Sequence, residues 1–545
     1  MPLLSGGEAI VEALLAHGIE TVFALPGAQI YGLFDALYGA QPRLRVIGAR
    51  HEQACSYMAF GAARSTGRAA VFAVVPGPGV LNAGAGLLTA FGTNSPVLCV
   101  TGQVPLAFLD KGRGQLHEMP DQLATLRGMT KWAARIEYPA LAPQLVARAF
   151  QEMRSGRRGP AALEMPWDVF TQKVEVSGCE PLPSFTPPAP DAERIAHAAQ
   201  LIVESRSPMI FVGGGAFGAA AEILDLAELI DAPVVAFRSG RGIVSNAHEL
   251  GLNIAAAYRL WPHTDLMIGI GTRLELPFWR WSFRPAGQKS VRIDIDPAEM
   301  RRFAPDAAVI ADAAEGCHSL AAEVRRLGRR RTGWREAIAR ARAAAEMDIQ
   351  VIQPQVSYLK VVREVLPANG FLTDEISQVG FASWFAFPVY EPRTFIGSGY
   401  QGTLGAGFPT ALGVKVANPQ RPVVAITGDG GLMFAIGELA TAVQYGIAVV
   451  VLLFNNDSYG NVRRDQQESF AGRVLGAELL NPDFVRLADS FGVASARVSS
   501  PEALRPVLER ALAAGTPWLI EVSVARGAEA DPWRFIRPPL PAERP

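Results

Sequence analysis

A glycine turn that holds an aspartate, and a pair of asparagines further along the chain, give the clearest chemical signal in the sequence. Asp429 lies in the turn GDGG (428–431) after the strand pattern VVAIT, and Asn455 and Asn456 follow a second strand pattern, IAVVVLLF. A strand, a helix and a parallel strand form one right-handed crossover, so Asp429 and Asn456 are expected at the same edge of the sheet. Carboxylate, amide and backbone carbonyl oxygens suit Mg²⁺, and the glycines would let backbone N–H groups face a diphosphate. Taken alone, GDG is also a common strand-to-helix turn.

Other polar or glycine-rich turns follow predicted strands elsewhere in the chain. Glu52 comes after RVIGAR (45–50), and the turn GYQGTLGAGFPTALG (399–413) leads into a predicted helix. Glycine turns also occur at LPGAQ (25–29) and GPGVLN (77–82). A glutamate after a strand is usually solvated or ion-paired. In a dry pocket, however, burial would tune its proton affinity for acid–base chemistry.

In their order along the chain, these motifs resemble those of thiamine diphosphate-dependent enzymes. The resemblance implies that Asp429, Asn456 and the backbone of Ser458 bind Mg²⁺. It also implies that Glu52 protonates the aminopyrimidine ring, whose imino nitrogen then removes the proton from thiazolium C2. The predicted function is therefore a thiamine diphosphate- and Mg²⁺-dependent C–C bond lyase or carboligase, acting on 2-oxo acids or 2-hydroxy ketones.

The same resemblance assigns cofactor-binding positions. Leu404 would wedge the cofactor into a V shape, with the carbonyl of Gly402 holding its amino group, so that the reacting atoms meet before reaction. The implied cofactor-binding residues are Pro26, Ser377, Gly402, Leu404, Gly428, Gly430 and Gly431. Members of the family bind the cofactor between subunits, which implies a homodimer or homotetramer here.

The alternation of strand and helix patterns along the chain predicts an α/β fold with three doubly wound parallel sheets. Short β-branched runs alternate with helical patterns in three segments, 1–178, 190–325 and 350–525, and a Pro-rich tail follows at 526–545. The resemblance names these segments as pyrimidine-binding, central Rossmann-like and diphosphate-binding domains. A proline-rich linker is predicted at 178–192, and one solvated helix is predicted over the charged, alanine-rich segment 325–350. The first and third segments share a rhythm that suggests a duplicated fold.

The composition excludes several classes of protein. The chain of 545 residues carries 51 basic and 52 acidic residues, so nothing favours capture of nucleic acid or of a membrane surface. No apolar run reaches the roughly 20 residues that cross a bilayer. The four cysteines, Cys55, Cys99, Cys179 and Cys317, have no disulfide spacing and indicate a reducing compartment. The prediction is a cytoplasmic enzyme with a small-molecule carbonyl substrate.

Within the family, the closest resemblance is to the acetolactate synthases and to benzaldehyde lyase. Three departures argue against FAD and against the usual pyruvate specificity of the synthases. The sequence after Arg273 is LELP, without their second arginine; Asp465 replaces their tryptophan; and GLNIAAAY (251–258) replaces their flavin-contacting stretch. A benzaldehyde lyase-like or 2-hydroxyacyl-thioester lyase activity is therefore an alternative.

Two polar residues in the first segment are candidates for the catalytic site. Benzaldehyde lyase has a glutamine at the position of His117 and a histidine at the position of Gln29, so the two types have exchanged places. We predict that Gln29 and His117 are catalytic, with His117 as a general acid or base near neutral pH. A histidine in an ordinary surface loop is the alternative.

The rival prediction comes from the central segment. PMIFVGGGAFG (208–218) is a strand followed by a G-x-G-x-x-G match, the dinucleotide fingerprint of a flavin or NADP oxidoreductase. The next strand pattern ends at Arg238, whereas NAD-binding proteins have an acid there for the ribose hydroxyls. An arginine at this position could bind the 2′-phosphate of NADP. A structural glycine turn that packs a helix is the favoured interpretation of the motif.

Overall fold

Three parallel sheets, each of six strands and flanked by helices, form the body of the molecule. The computed structural model describes residues 1–178, 180–328 and 333–540. Every strand pair within these three sheets is parallel. The predicted fold class is confirmed, and the sheets lie within the predicted segments 1–178, 190–325 and 350–525.

The N-terminal domain has the strand order β3-β2-β4-β5-β7-β6, and β1 pairs antiparallel with β8 beside this sheet. Its strands are β1 (Leu3–Ser5), β2 (Thr21–Ala24), β3 (Arg45–Gly48), β4 (Ala70–Val74), β5 (Val97–Gln103), β6 (Trp132–Arg135), β7 (Ala161–Pro166) and β8 (Lys173–Glu175). Its helices are α1 (Gly6–Ala16), α2 (Tyr31–Gly39), α3 (Glu52–Thr66), α4 (Pro78–Gly92), α5 (Gln122–Met129), α6 (Ala142–Arg154) and α7 (Trp167–Thr171).

The central domain has the order β11-β10-β9-β12-β13-β14, which is the Rossmann order 3-2-1-4-5-6. Its strands are β9 (Pro208–Val212), β10 (Val234–Ala236), β11 (Gly251–Leu252), β12 (Leu266–Ile270), β13 (Lys289–Asp294) and β14 (Ala307–Ile310). Its helices are α8 (Ala192–Glu204), α9 (Ala220–Ile230), α10 (Ile254–Leu260), α11 (Pro297–Arg302) and α12 (Ala313–Leu327).

The C-terminal domain has the order β16-β15-β17-β18-β20-β19, which repeats the topology of the N-terminal sheet strand for strand. Its strands are β15 (Phe371–Thr373), β16 (Phe395–Ile396), β17 (Val423–Gly428), β18 (Val450–Asn455), β19 (Ala494–Val498) and β20 (Trp518–Ser523). The helices from residue 334 onwards are α13 (Trp334–Asp348), α14 (Gln355–Val365), α15 (Gln378–Ala386), α16 (Gly407–Ala417), α17 (Asp429–Leu432), α18 (Glu438–Tyr445), α19 (Gly460–Ser469), α20 (Phe484–Ser490), α21 (Pro501–Ala513) and α22 (Trp533–Ile536).

One secondary-structure prediction is wrong. The segment 325–350 is not one solvated helix, because α12 ends at Gly328, whose φ of +74° only glycine adopts readily. Helix α13 then begins at Trp334, and its apolar face, which includes Trp334 and Ile338, is buried. Residues 329–332 of this segment, like Cys179 and the last residues of the tail (541–545), lie outside the described residues.

Of the predicted free thiols, Cys55, Cys99 and Cys317 are buried. A search of the described helices found none with the length and apolar character of a membrane span.

Helices α3 and α16 cross in direct backbone contact and join the N-terminal domain to the C-terminal domain. A Cβ atom added at Gly61 would overlap the carbonyl oxygen of Thr410, and one added at Gly413 would overlap that of Met58. The crossing therefore depends on glycine at both positions. Since α3 begins at Glu52 and α16 follows the glycine loop that holds Leu404, the crossing fixes two predicted site elements relative to one another.

Replacing Gly413 with valine should force these helices apart. We expect Gly413→Val to lower the melting temperature, at a cost of about 2 kcal/mol or more from steric overlap in a packed contact. The control is Gly39→Val, because a Cβ at Gly39 meets nothing within 4 Å. Equal melting temperatures for the two variants, measured by circular dichroism, would contradict the proposed role of the crossing.

Candidate active site

The ends of strands β17 and β18 bring the predicted metal ligands together. Gly428 pairs with Phe454, so Asp429 and Asn456 leave neighbouring strands at the same edge of the sheet. The backbone N–H of Ser458 donates to Asp429 Oδ2 at 3.2 Å and to Asn456 Oδ1 at 3.1 Å. Two of the three predicted ligand groups thus direct oxygens at one point.

The chemistry of this donor set fits a hard divalent cation. Asp429 is buried, and burial raises the pKa of its carboxyl above the ordinary value. Its Oδ2 also accepts from Asn481 Nδ2 at 2.7 Å. Within the described residues, no group of three histidine, cysteine, aspartate or glutamate side chains could hold a metal. A cation here would therefore depend on the Asn456 amide and a backbone carbonyl beside the Asp429 carboxylate, which is an oxygen set that Mg²⁺ accepts.

A cavity of about 210 Å³ lies in front of these groups. Of the predicted cofactor residues, Ser377, Leu404, Gly428, Gly430 and Gly431 line it. Two of these glycines leave no room for a side chain without displacement, since a Cβ at Gly430 would overlap the Tyr459 ring and one at Gly431 would lie 2.5 Å from Glu375 Oε1. The structure therefore provides a narrow glycine-lined cradle beside the metal ligands, which fits a diphosphate group.

Glu375 holds the loop of Leu404 in place, and sequence reasoning missed it. Its carboxylate accepts from the backbone N–H of Gly405 and from Thr427 Oγ1, the latter at 2.5 Å. Glu375 is buried, and burial raises the pKa of its carboxyl to about 7. This side chain ties the loop to strand β17. The only sequence signal was an acidic pair, Asp374–Glu375, directly after an apolar strand.

Glu52 is the first residue of α3 and lies at the end of β3, as the sequence predicts. Its Oε2 accepts from Asn82 Nδ2 at 3.1 Å, and Asn82 belongs to the predicted glycine turn GPGVLN. Pro26 follows strand β2 on the same sheet. The carboxyl end of the N-terminal sheet thus carries the acid and the predicted pyrimidine contact.

Gln29 and His117 contact one another in the same domain. The Nδ1 atom of His117 lies 3.0 Å from Oε1 of Gln29, and Gln29 Nε2 donates to the carbonyl oxygen of Leu116. Both residues have positive φ, +73° for Gln29 and +63° for His117, which is uncommon outside glycine. A Cβ at Gly77 would overlap the carbonyl of His117, so this loop packs onto the GPGVLN turn.

The two halves of the predicted site do not share one cavity within the described chain. All residues that line the cavity at Asp429 lie between Ile376 and Glu529, in the C-terminal domain or the segment after it. The residues predicted on the N-terminal side, Pro26, Gln29, Glu52 and His117, are not among them.

The glycine turn of the central domain lines a separate cavity of about 170 Å³. Arg64, Arg393 and Asp294 line it too, and the two guanidinium groups lie over Phe217 at 4.8 and 4.5 Å from the ring centroid. Arg238, the candidate for a 2′-phosphate, is half-buried and forms an ion pair with the carboxylate of Glu275. An arginine already paired with a carboxylate is a poor phosphate ligand, which counts against the NADP alternative.

Comparison with known proteins identifies the family. Three family models match in order: the N-terminal TPP binding domain of thiamine pyrophosphate enzymes over residues 4–125, the central domain over 195–320, and the C-terminal TPP binding domain over 375–522. The chain belongs to the thiamine pyrophosphate enzymes. Thiamine pyrophosphate is the same compound as thiamine diphosphate, so the predicted family is confirmed.

Among the relatives of this thiamine pyrophosphate enzyme is a probable acetolactate synthase large subunit of Methanocaldococcus jannaschii, 34% identical over 97% of this chain and 93% of that protein. A probable 2-ketoarginine decarboxylase, AruI, of Pseudomonas aeruginosa is 32% identical over 94% and 92% of the two chains. Acetolactate synthase isozyme 3 large subunit of Escherichia coli is 30% identical over 94% and 93%. The chain lies in the acetolactate synthase-like branch.

The metal assignment predicts the behaviour of Asp429→Ala. This thiamine pyrophosphate enzyme should lose most of its Mg²⁺-dependent cofactor binding in that variant, because the carboxylate is the one charged ligand of the predicted set. Calorimetric titration of thiamine diphosphate into the apoprotein at a fixed Mg²⁺ concentration measures the loss of cofactor affinity. Asp489→Ala, at an exposed site on α20, is the control. Unchanged cofactor binding in Asp429→Ala would remove Asp429 from the site.

Proposed function

We propose that this protein is a Mg²⁺- and thiamine diphosphate-dependent carboligase or lyase that acts on a 2-oxo acid or a 2-hydroxy ketone. The observation that carries the proposal is the convergence of Asp429 Oδ2 and Asn456 Oδ1 on one N–H beside a glycine-lined cavity. When bound, the cofactor supplies a nucleophilic carbon and an electron sink. The metal ligands would be Asp429, Asn456 and the backbone of Ser458.

Residues around the cavity would shape and position the cofactor. Leu404 lines the cavity as the proposed wedge, with Gly402 in the same loop. Glu375 holds that loop through the N–H of Gly405, so the wedge is fixed before any ligand arrives. Preorganisation of this kind lowers the entropic part of the barrier.

Glu52 would move the proton that activates the cofactor. Its carboxyl exchanges a proton with the pyrimidine ring nitrogen, while Asn82 Nδ2 holds Oε2 at 3.1 Å and fixes the orientation of the group. Gly79 lies next to Glu52, and a Cβ added there would overlap Val75 Cγ2 at 2.6 Å and would be in ordinary contact with Glu52 Cγ at 3.6 Å.

The pair formed by Gln29 and His117 would face the substrate. If His117 Nδ1 carries the proton and donates it to Gln29 Oε1, the Nε2 atom is left as a proton acceptor. That arrangement suits a general base or acid for the carbonyl and hydroxyl oxygens of the substrate. The left-handed backbone at both residues supports a functional role, because such strain clusters at active sites.

The donor class is proposed as a 2-oxo acid. Relatives named acetolactate synthase and 2-ketoarginine decarboxylase support it. Asp465 and the segment after Arg273 depart from the synthases, which favours a donor other than pyruvate and argues against bound FAD. Benzaldehyde lyase-like or 2-hydroxyacyl-thioester lyase activity is the alternative. The buried thiols Cys55, Cys99 and Cys317 support a reducing, cytoplasmic compartment.

A panel of labelled donors tests the reaction class. We expect the wild-type protein with thiamine diphosphate and Mg²⁺ to release labelled CO₂ from a 1-¹³C-labelled 2-oxo acid. The labelled product is detected by ¹³C NMR. The panel contains pyruvate, longer and guanidino-substituted 2-oxo acids, benzoin and a 2-hydroxyacyl thioester. Glu52→Gln should keep cofactor binding and lose most turnover, by about 10²-fold or more, since it cannot transfer the proton.

The results of this panel distinguish the proposed 2-oxo acid donor from the alternative lyase activities. Turnover of benzoin or of the thioester, but of no 2-oxo acid, would replace the proposed donor class with the alternative. Undiminished turnover in Glu52→Gln would refute the proton-transfer role. Glu509→Gln, at a surface glutamate, controls for the loss of a carboxylate elsewhere.

We further propose that a second copy of the chain completes each active site, in a homodimer or a homotetramer. Within one chain, Glu52 is not among the residues that line the cavity at Asp429. Large apolar side chains remain exposed near the site, including Phe434 at 56% and Leu480 fully. Association with a second copy would bury such side chains and would bring Glu52 of one protomer to the cavity of its partner.

Mixed dimers distinguish sites between subunits from sites within one chain. Glu52→Gln and Asp429→Ala, each inactive alone, are co-expressed with different tags and the heterodimer is purified by both tags. If sites form between subunits, one site combines two intact halves, and the heterodimer should regain about half of the wild-type activity. A heterodimer as inactive as its parents would show that each chain builds its own site.

A further inference from the structure

The segment after the last strand, β20, docks along the C-terminal domain and passes the predicted metal site. The N–H of Ala530 donates to the carbonyl oxygen of Gln353 at 3.0 Å, and Gln355 Nε2 donates to the carbonyl of Ala530 at 2.7 Å. Trp533 Nε1 donates to Asn461 Oδ1 at 2.7 Å. Bonds on both sides of this segment hold its backbone in one position.

The docked segment directs the carboxylate of Glu529 into the cavity. Glu529 lines the same cavity as Asp429 and Asn456, and its Oε2 accepts from Asn456 Nδ2. The nearby ion pair between Asp531 and Arg464, at 3.1 Å, anchors the segment on α19. None of the sequence motifs pointed to this glutamate, which lies in the predicted tail.

The contact decides which end of the Asn456 amide faces the metal position. Nδ2 is taken by Glu529, while Oδ1 lies 2.9 Å from Ser458 Oγ and 3.1 Å from Ser458 N, next to Asp429 Oδ2. The amide must present oxygen to bind a cation, because its NH₂ group has no lone pair to offer. Ser458 and Glu529 therefore hold the amide in the same orientation from its two ends, and loss of the carboxylate would leave Nδ2 without this partner.

We propose that Glu529 is a positioning residue of the metal centre, which holds the Asn456 amide with its oxygen toward the cation. This inference rests on the proposed Mg²⁺ site. It gives the C-terminal segment a defined role: the docked backbone at Ala530 sets the place from which Glu529 reaches Asn456.

The test compares Glu529→Ala with Glu529→Gln by calorimetric titration of Mg²⁺ into protein that is saturated with thiamine diphosphate. Loss of an outer partner of a metal ligand weakens metal affinity by about 10–100-fold, and we expect that loss in Glu529→Ala. Glutamine keeps an acceptor for Asn456 Nδ2, so Glu529→Gln should recover most of the affinity. Retention of cofactor through gel filtration at limiting Mg²⁺ provides a second readout that does not depend on turnover.

Three outcomes would overturn the inference. Mg²⁺ affinity in Glu529→Ala equal to wild type would show that Asn456 needs no such partner, and tighter binding would show that Glu529 obstructs the site. Equal losses in the two variants would make Glu529 a direct ligand instead of a positioning residue. Asp429→Ala, titrated in parallel, distinguishes failure of this inference from failure of the proposed metal site. If this variant also binds Mg²⁺ with wild-type affinity, the proposed metal site itself is wrong. Glu509→Gln is the surface control.

Discussion

The backbone contact between α3 and α16 is the constraint on which the arrangement of the site depends. At Gly61 and Gly413 the two helices approach so closely that no other residue type fits without displacement. One helix starts at the proposed acid, and the other starts after the loop of the proposed wedge. Gln53 Nε2 also reaches the carbonyl of Leu404 at 3.4 Å, which extends the contact to the loop itself. A rigid crossing transmits position better than a flexible linker could. Each chain therefore presents the proposed acid and the wedge loop in one fixed relation, as a dimer whose sites combine the two from different copies requires.

Much of the site could be predicted because parallel strands impose their own order. A residue after one strand and a residue after its neighbour must meet at the same edge, which is why GDGG and the asparagine pair predict the contact between Asp429 and Asn456 through Ser458. Glycines in the sequence are informative for the same purpose, because close backbone contacts and left-handed turns restrict the residue type to glycine. The parallel direction of the strands follows from the same alternation of strand and helix. Their order does not, because the central sheet differs in order from the other two.

The remaining features depend on contacts between residues far apart in the chain. Glu375 and Glu529 act on the site through partners at the ends of other elements, and neither lies in a recognisable motif. The mistaken helix at 325–350 has a similar cause: charge and alanine content suggested exposure, whereas Trp334 and Ile338 are buried beside the central domain. Arg238 is a third case, since only the structure shows that Glu275 already neutralises it. Local composition does not report such tertiary partners.

The docked C-terminal segment has a consequence for the order in which the protein matures. During synthesis the N-terminal domain, whose strands end at residue 175, can fold long before the chain is complete. Glu529 follows all three sheets in the sequence and leaves the ribosome after them, so a nascent chain with a finished N-terminal domain still lacks a group that reaches Asn456. Formation of the proposed cation site is thereby delayed until Glu529 has been synthesised, and a product terminated before this residue would carry the proposed acid Glu52 without a fully formed cation site.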